Sequence, residues 1–305
     1  MFFIWYNKIM ISQTIEFKNL ETSLKNDELP ISILINSPDR ETNEIFIKEF
    51  CKMFFCVSHS ICEKCEGCVQ TTLGTNPDLI VLPSGESFQV LDAEFVVENV
   101  YLTPMTYQRK IFYIKNFDKS TEAAQNKILK ILEEPPKSVV FVISTTNTSK
   151  ILPTILSRCN VINLLPLSLD QIKSYFTKYD EKELKRAYSF SDGYIGKMRL
   201  FLENKNFSDA NLLAENIINN LKSSKEIILY SSQISKNKDF FLTVIELLDK
   251  EYAKLFNKQI LNNLCVVEII NLLNNAKSEV EKNVSIQIVA DNLLMKILET
   301  KYLYK

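Results

Sequence analysis

The sequence predicts an α/β domain followed by all-α segments, and three observations support that fold class. Short apolar runs alternate with stretches of helical periodicity as far as about residue 165, which is typical of a parallel sheet covered by helices. Beyond that point the strand-like runs disappear and only helical spacing remains. Five of the seven cysteines fall between Cys51 and Cys68 in a loop of the α/β part, which favours a metal site in a reducing compartment over a disulfide framework.

The elements of the first part follow in order along the chain. Strands are predicted at 31–36, 78–84, 110–117 and 138–147. The last of them, "SVVFVISTTN", is continuously apolar, as expected for a strand buried on both faces of a sheet. Helices are predicted at 43–55, 92–101 and 121–136, and Pro135 and Pro136 end the third.

The second part contains only helical patterns, and these suggest two segments. "SLDQIKSYF" begins a helix with a cap at Ser168 or Asp170, and "SFSDGYIGKMRLFLE" holds two of the five glycines at a helix–helix junction. We therefore divide the chain into three parts, 1–165, 166–205 and 206–305.

Composition excludes several classes of protein. The chain has 305 residues and a formal net charge of −1, so overall charge favours neither nucleic acid nor membrane, although a local basic patch stays open. No apolar run approaches the roughly 20 residues of a membrane span. The N-terminal "MFFIWYNKIM" lacks a basic lead and a cleavage site, so a cytoplasmic location is expected. Translation from Met1 and from Met10 both remain open.

The clustered cysteines predict a metal site. Their spacing is C-x5-C-x2-C-x2-C, and four thiolates arranged as a tetrahedron would saturate a zinc ion, which favours a structural role over a catalytic one. Unbound thiols and an iron–sulfur cluster are the alternatives. Cys51 is expected on the packed side of its helix, with replacement of the first ligand as the alternative, and His59 is expected to be an exposed loop residue. The candidate ligands are Cys56, Cys62, Cys65 and Cys68.

The stretch "ILINSPDRETNEIFIKEF" has the strand–turn–helix layout of a phosphate-binding loop without its chemistry. Such a loop needs glycines that let the backbone approach phosphate and a lysine that meets its charge. The turn 37–43 contains neither, and the first glycine in the chain is Gly67. Pro38 and Asp39 can still form the turn, and Thr42 or Asn43 is expected to cap the helix.

"AAQNKILKILEEPP" followed by "VVFVISTTNTSKILPTILSRCN" is the most specific part of the sequence. It resembles the clamp-loader subunits of bacterial replicative DNA polymerase, in the AAA+ superfamily, and a four-cysteine module is also found in that family. The resemblance implies an AAA+ RecA-like α/β domain with an inserted zinc module, a small helical lid domain and a C-terminal helical collar. The matching residues are Asn126, Leu129, Lys130, Leu132, Glu133, Glu134, Pro135, Pro136, Thr145, Thr146, Leu152, Pro153, Thr154, Ile155, Ser157, Arg158 and Cys159.

Two subunit types share this pattern, a gamma or tau motor that hydrolyses ATP and a delta prime type that does not. The phosphate loop is missing here, and Lys115 and Asn116 follow the strand that should lead into magnesium-binding acidic residues. Asp118 lies further on and is expected to cap the next helix. Both losses favour the delta prime type, for which no ATP is expected.

The resemblance gives Arg158 the role of an arginine finger, supplied in trans to the ATP site of a neighbouring subunit. A structural ion pair at a helix end is the alternative. Cys159 is expected to act as a small buried hydrophobe. The resemblance also implies a polar sensor at Thr145, Thr146 and Asn147. Without a bound nucleotide, these residues are expected only to satisfy the hydrogen bonds of the strand end.

We therefore expect a non-hydrolysing delta prime-type subunit of the DNA polymerase III clamp loader. Its implied partners are gamma or tau motor subunits and the delta subunit, and indirectly the sliding clamp and primer–template DNA. A divergent ATP-hydrolysing gamma/tau-type subunit and a zinc-dependent DNA-binding protein are the alternatives. Glu63 and Glu66 beside the cysteines argue against the latter.

Overall fold

The computed structural model describes residues 11–257 and 262–304. These residues form two compact units, which divide after Met198. The choice between Met1 and Met10 as the first residue falls outside the described ranges. The division into three parts at 165 and 205 stays a prediction.

The first unit is built on a five-stranded sheet in which every strand pair is parallel, in the order β2-β3-β4-β1-β5. The predicted parallel α/β class is therefore confirmed. The fifth strand was not predicted, because its sequence "NVIN" is short, ends in asparagines and lies at the sheet edge. The strands are β1 Ser32–Asn36, β2 Leu79–Leu82, β3 Lys110–Ile114, β4 Val139–Thr145 and β5 Asn160–Asn163.

The helices of this unit lie near the predicted positions. One start is wrong: the helix predicted at 43–55 begins at Arg40, because Asp39 rather than Thr42 or Asn43 provides the N-terminal cap. The helices are α1 Ile15–Lys25, α2 Arg40–Phe55, α3 Glu66–Leu73, α4 Val90–Asn99, α5 Glu122–Glu133, α6 Pro153–Leu156, α7 Leu169–Tyr175, α8 Glu181–Ser191 and α9 Ile195–Glu203.

The core of the unit lies on the central strands. All residues of β3 and β4 are buried, and Phe112 stacks on Phe141 with ring centroids 5.6 Å apart. Helices α4 and α5 cover this apolar layer. Because the strands are parallel, the ends of β1, β3 and β4 meet at one edge of the sheet, where ligands bind in folds of this class.

The second unit is helical throughout its described residues. Helix α10 packs against α12, α12 against α13, and α13 against α14, while α11 packs on α14. Fully buried side chains such as Phe241, Tyr252 and Leu294 form its core. No helix in residues 11–257 and 262–304 has the length and apolar character needed to cross a bilayer. The helices are α10 Lys205–Asn220, α11 Ser224–Ile234, α12 Lys238–Asn257, α13 Asn263–Glu281 and α14 Ile286–Leu303.

Candidate functional site

The turn between β1 and α2 lies where a phosphate-binding loop would be. With Ser37 at the first glycine of the pattern G-x4-G-K, the second glycine falls on Thr42 and the lysine on Asn43. The side-chain Nδ2 of Asn43 donates to the carbonyl oxygen of Thr145 at 2.9 Å and to that of Ser37 at 3.4 Å. The side chain at the lysine position therefore ties the loop to the end of β4.

The Asp39 carboxylate occupies the N-terminus of α2. Its Oδ2 accepts hydrogen bonds from the Thr42 amide at 2.9 Å and from the Thr42 hydroxyl, and the residue is 8% exposed. The same oxygen accepts the amide of Gly196 at 2.9 Å, from the first turn of α9. A helix N-terminus of this kind is the place where phosphate binds in nucleotide-binding loops, and here an internal anion fills it.

The end of β3 offers no pair of acidic groups for magnesium. Lys115 follows the strand and its amide donates to the Leu82 carbonyl oxygen at 2.7 Å. Asn116 is in the left-handed region at φ +50°, and its amide donates to the Ser144 hydroxyl at 3.1 Å. These residues continue the sheet edge and bring no carboxylate to it.

The expectation that Asp118 caps the next helix is wrong. Thr121 caps α5, accepting from the Ala124 amide at 3.3 Å. Asp118 lies in a short 3-10 turn, where its carboxylate accepts the amide and the hydroxyl of Thr146, each at 3.1 Å. The parallel sheet places the end of β4 beside this turn, so the carboxylate joins the ends of β3 and β4.

The four predicted ligand cysteines lie together. Their sulfur atoms are all within 4.8 Å of one another, and those of Cys56 and Cys65 are 3.9 Å apart. Zinc–sulfur bonds of about 2.3 Å in a tetrahedron require sulfur atoms about 3.8 Å apart, so the donor set fits a tetrahedral metal. Cys51 lies outside the cluster and is 1% exposed, in the helix core as expected. His59 is half-buried, so the expectation of an exposed residue is wrong, because its Nδ1 lies 3.4 Å from the Met53 carbonyl oxygen.

The surroundings of the cluster favour thiolate at two of its positions. At Cys56, burial raises the pKa, but hydrogen bonds from the Ser58 hydroxyl and from backbone amides outweigh it and lower the pKa to about 5. Backbone amides, first that of Lys64, also lower the pKa of Cys62. Burial raises the pKa of Cys68, so that thiol is expected to ionise only when a cation binds it.

The module contacts α2 through an ion pair from its Glu63 to the buried Lys52, and through a close backbone approach. Lys52 Nζ lies 2.8 Å from Glu49 and 3.4 Å from Glu63, and both Lys52 and Glu49 are buried. Gly67, in the first turn of α3, packs directly on the carbonyl of Phe55 at the end of α2, where any Cβ would overlap the oxygen. The cysteine loop therefore has little freedom to move away from α2.

Arg158 lies at the surface just after α6. Its guanidinium forms an ion pair with Glu133 at the end of α5 and donates to the Thr154 carbonyl oxygen at 2.7 Å. The side chain remains 32% exposed. Cys159 beside it is half-buried, and burial raises its pKa to about 12, as suits an unreactive thiol.

Sequence reasoning missed the contact between Asp39 and Gly196. The two residues are 157 positions apart, and the loop sequence alone named Asp39 only as a turn former. The signal in the sequence is a glycine within the helical stretch "GYIGKMRLFLE". In the structure, a Cβ at Gly196 would overlap the Asp39 carboxylate and displace it.

Known proteins that resemble this chain are subunits of DNA polymerase III. The family model described as DNA polymerase III, delta subunit matches residues 12–168. The delta' subunit of DNA polymerase III from Bacillus subtilis is 33% identical over 132 residues, which are 42% of this chain and 40% of that protein. A gamma subunit from Buchnera aphidicola is 32% identical over 127 residues, 42% of this chain and 34% of that protein. The chain thus spans well under two thirds of either relative.

Among solved structures, a DNA polymerase III gamma subunit-related protein from Thermotoga maritima superposes with a TM-score of 0.51 at 19% identity, covering 93% of this chain and 99% of that one. At that identity the likeness concerns the fold alone. Together with the parallel sheet and the cysteine cluster, it confirms the predicted AAA+ fold class.

Proposed function

The chain belongs to the clamp-loader subunit family of DNA polymerase III, and from that premise we propose that it is the non-hydrolysing, delta prime-type member of the complex. Its role would be to scaffold the pentameric loader that places the sliding clamp on primed DNA. One observation carries the proposal: the N-terminus of α2, where a motor subunit would hold phosphate, is capped by the chain's own Asp39 carboxylate.

The electrostatics of the site support the absence of nucleotide. A phosphate brought to the Thr42 amide would meet the Asp39 carboxylate at hydrogen-bond distance, and like charges repel strongly where burial excludes water. Asn43 at the lysine position supplies no positive charge. No acidic pair stands at the ends of β3 and β4, because Lys115 and Asn116 follow β3. The nearby Asp118 carboxylate already accepts two hydrogen bonds from Thr146.

Arg158 would serve a neighbouring motor subunit as an arginine finger. Its side chain reaches the surface, and within residues 11–257 and 262–304 its one carboxylate partner is Glu133, itself 46% exposed. An exposed pair of this kind is weak, so a nucleotide phosphate on an adjacent subunit could replace Glu133 at little energetic cost.

Zinc is the metal we propose for Cys56, Cys62, Cys65 and Cys68. Four sulfur donors leave no coordination position for water, so bound zinc would supply structural stability and no reaction chemistry. The second unit would form the collar that holds the ring of subunits together. We propose a cytoplasmic location for the chain. Its partners would be gamma or tau motors and the delta subunit, and indirectly the sliding clamp and primer–template DNA.

The test separates this proposal from its two rivals. We expect the purified chain to show no ATP binding by calorimetry and no ATPase activity, and to co-purify with motor and delta subunits. Tight ATP binding or hydrolysis by the chain alone would favour the divergent motor. Salt-sensitive binding of duplex DNA by the chain alone, without assembly, would favour a zinc-dependent DNA-binding protein.

A further inference from the structure

We propose that Asp39 is a built-in substitute for nucleotide phosphate, which fastens helix α9 to the emptied phosphate loop. The proposal rests on the nucleotide-free role proposed above and adds a mechanism to it. In this arrangement the helical segment that follows the sheet is held against the loop at all times, with no ligand needed to bring the two together.

The hydrogen bonds form one connected set. Asp39 Oδ2 accepts the Thr42 amide at the start of α2 and the Gly196 amide at the start of α9, both at 2.9 Å. The Thr42 hydroxyl donates to the same carboxylate and accepts the Ile195 amide at 3.2 Å. One carboxylate thus satisfies the orphan amides of two helices whose positive ends converge on it.

Packing supports the contact independently of the hydrogen bonds. Asp39 is 8% exposed and Thr42 is 3% exposed, so water competes little for their polar atoms. Gly196 lies so close to the carboxylate that any Cβ would overlap its second oxygen, and it would also press on the Cβ of Glu41. A side chain at position 196 is therefore incompatible with the carboxylate in this place.

The negative charge of Asp39 explains why its carboxylate can replace a bound phosphate. Two helix N-termini pointed at one position attract an anion, and without one they would leave buried amides unpaired. In a motor subunit the anion would come and go with the nucleotide. Here it is covalently part of the loop, so the loop and α9 stay joined through every step of the loader's cycle.

The experiment measures backbone amide exchange in the full-length chain. In the wild type, we expect the amides of Ile195 and Gly196 to be protected and unaffected by millimolar pyrophosphate. In Asp39→Ala the Gly196 amide should exchange about tenfold faster, because it loses its charge-assisted bond. The Ile195 amide should follow, because the Thr42 hydroxyl to which it donates is no longer held by the carboxylate. Pyrophosphate should restore protection in that variant by filling the vacated position.

Asp180→Ala is the matched control, because Asp180 caps α8 with the same chemistry at an exposed helix end. Its effect should stay at the start of α8. Exchange at residues 195 and 196 that is no faster in Asp39→Ala than in Asp180→Ala would overturn the fastening role. Failure of pyrophosphate to slow exchange in Asp39→Ala would overturn the substitution for phosphate.

Should Asp39→Ala fail to fold, judged by circular dichroism, Gly196→Ala tests the same contact from the other side. Its methyl group displaces the carboxylate from α9, so protection at 195 and 196 should fall while the α2 cap at Thr42 stays protected. Unchanged protection would overturn the proposal. These measurements need no partner subunit. Assembly with motor subunits can therefore succeed while this inference fails, and this inference can hold while assembly fails.

Discussion

Replacing Arg158 with alanine separates an arginine finger from a structural ion pair, because the two roles predict effects of very different size. The structural role is bounded by the contacts of this residue: one ion pair to Glu133, with side chains 32% and 46% exposed, and one hydrogen bond to the Thr154 carbonyl oxygen. Exposed ion pairs contribute about 0.2–1 kcal/mol to stability. We therefore expect Arg158→Ala to lower the free energy of unfolding by no more than about 1 kcal/mol.

The finger role predicts a much larger effect on the assembled complex. Arginine fingers of GTPase systems accelerate hydrolysis by about 10³–10⁵-fold, and a loss of 10³ corresponds to about 4 kcal/mol of transition-state stabilisation. The change in activation free energy would thus exceed the change in stability several-fold. Only the site that Arg158 faces should be affected, so we expect the ATPase rate of the complex to fall to what its other sites supply.

The assay is DNA-stimulated ATPase of the reconstituted loader, with urea unfolding of the isolated variants. Glu133→Gln is the matched control, because it breaks the same ion pair and leaves Arg158 in place with its hydrogen bond to Thr154. We expect that control to retain full ATPase activity. Equal ATPase rates in complexes containing Arg158→Ala and Glu133→Gln, after normal assembly, would refute the finger role and leave the ion pair as the function of this arginine.

Three further predictions concern the metal module and the sheet edge. The wild type should bind about one zinc ion per chain, measured by atomic emission, and Cys65→Ser should lose it. Cys51→Ser is the control and should keep its zinc, because Cys51 lies outside the cluster. Equal loss of zinc in both variants would contradict the assigned ligand set. Gly67→Ala should destabilise the chain to urea by about 1–3 kcal/mol, because its Cβ overlaps a main-chain carbonyl oxygen. Gly85→Ala, where a Cβ meets nothing within 4 Å, is its control, and similar midpoints would argue against the close approach. Asp118→Ala should cost about 1–3 kcal/mol in the same titration, since the half-buried amide and hydroxyl of Thr146 and the buried hydroxyl of Thr145 lose their acceptor. A wild-type midpoint would show that water replaces the carboxylate.

Much of the fold follows from local patterns in the sequence. The apolar run 138–147 predicts the fully buried β4, and the helical spacing of 121–136 predicts α5 to within a few residues. The edge strand β5 escaped prediction because only four residues pair, and their pattern of polar ends carries no strand period. Its position is decided by pairing with β1, a contact that sequence periodicity does not encode.

The candidate site divides in the same way. Spacing alone identified the four clustered cysteines, because a metal ligand set of this kind is local in sequence. Sequence spacing could not identify the hydrogen-bond partner of Asp118. Thr146 lies 28 positions away and becomes a neighbour only through the parallel pairing of β3 with β4. From the local sequence, Asp118 was expected to cap the following helix. In the structure, Thr121 caps that helix instead.

The sequence by itself determined what the loop after β1 cannot do. Without glycine or lysine between Ser37 and Asn43, that turn cannot cradle a nucleotide phosphate, and this is a property of composition. Only the tertiary structure decided what occupies the loop. The Asp39 carboxylate can meet Gly196 because folding aims the N-termini of α2 and α9 at one buried point, and two converging helix ends favour an anion between them.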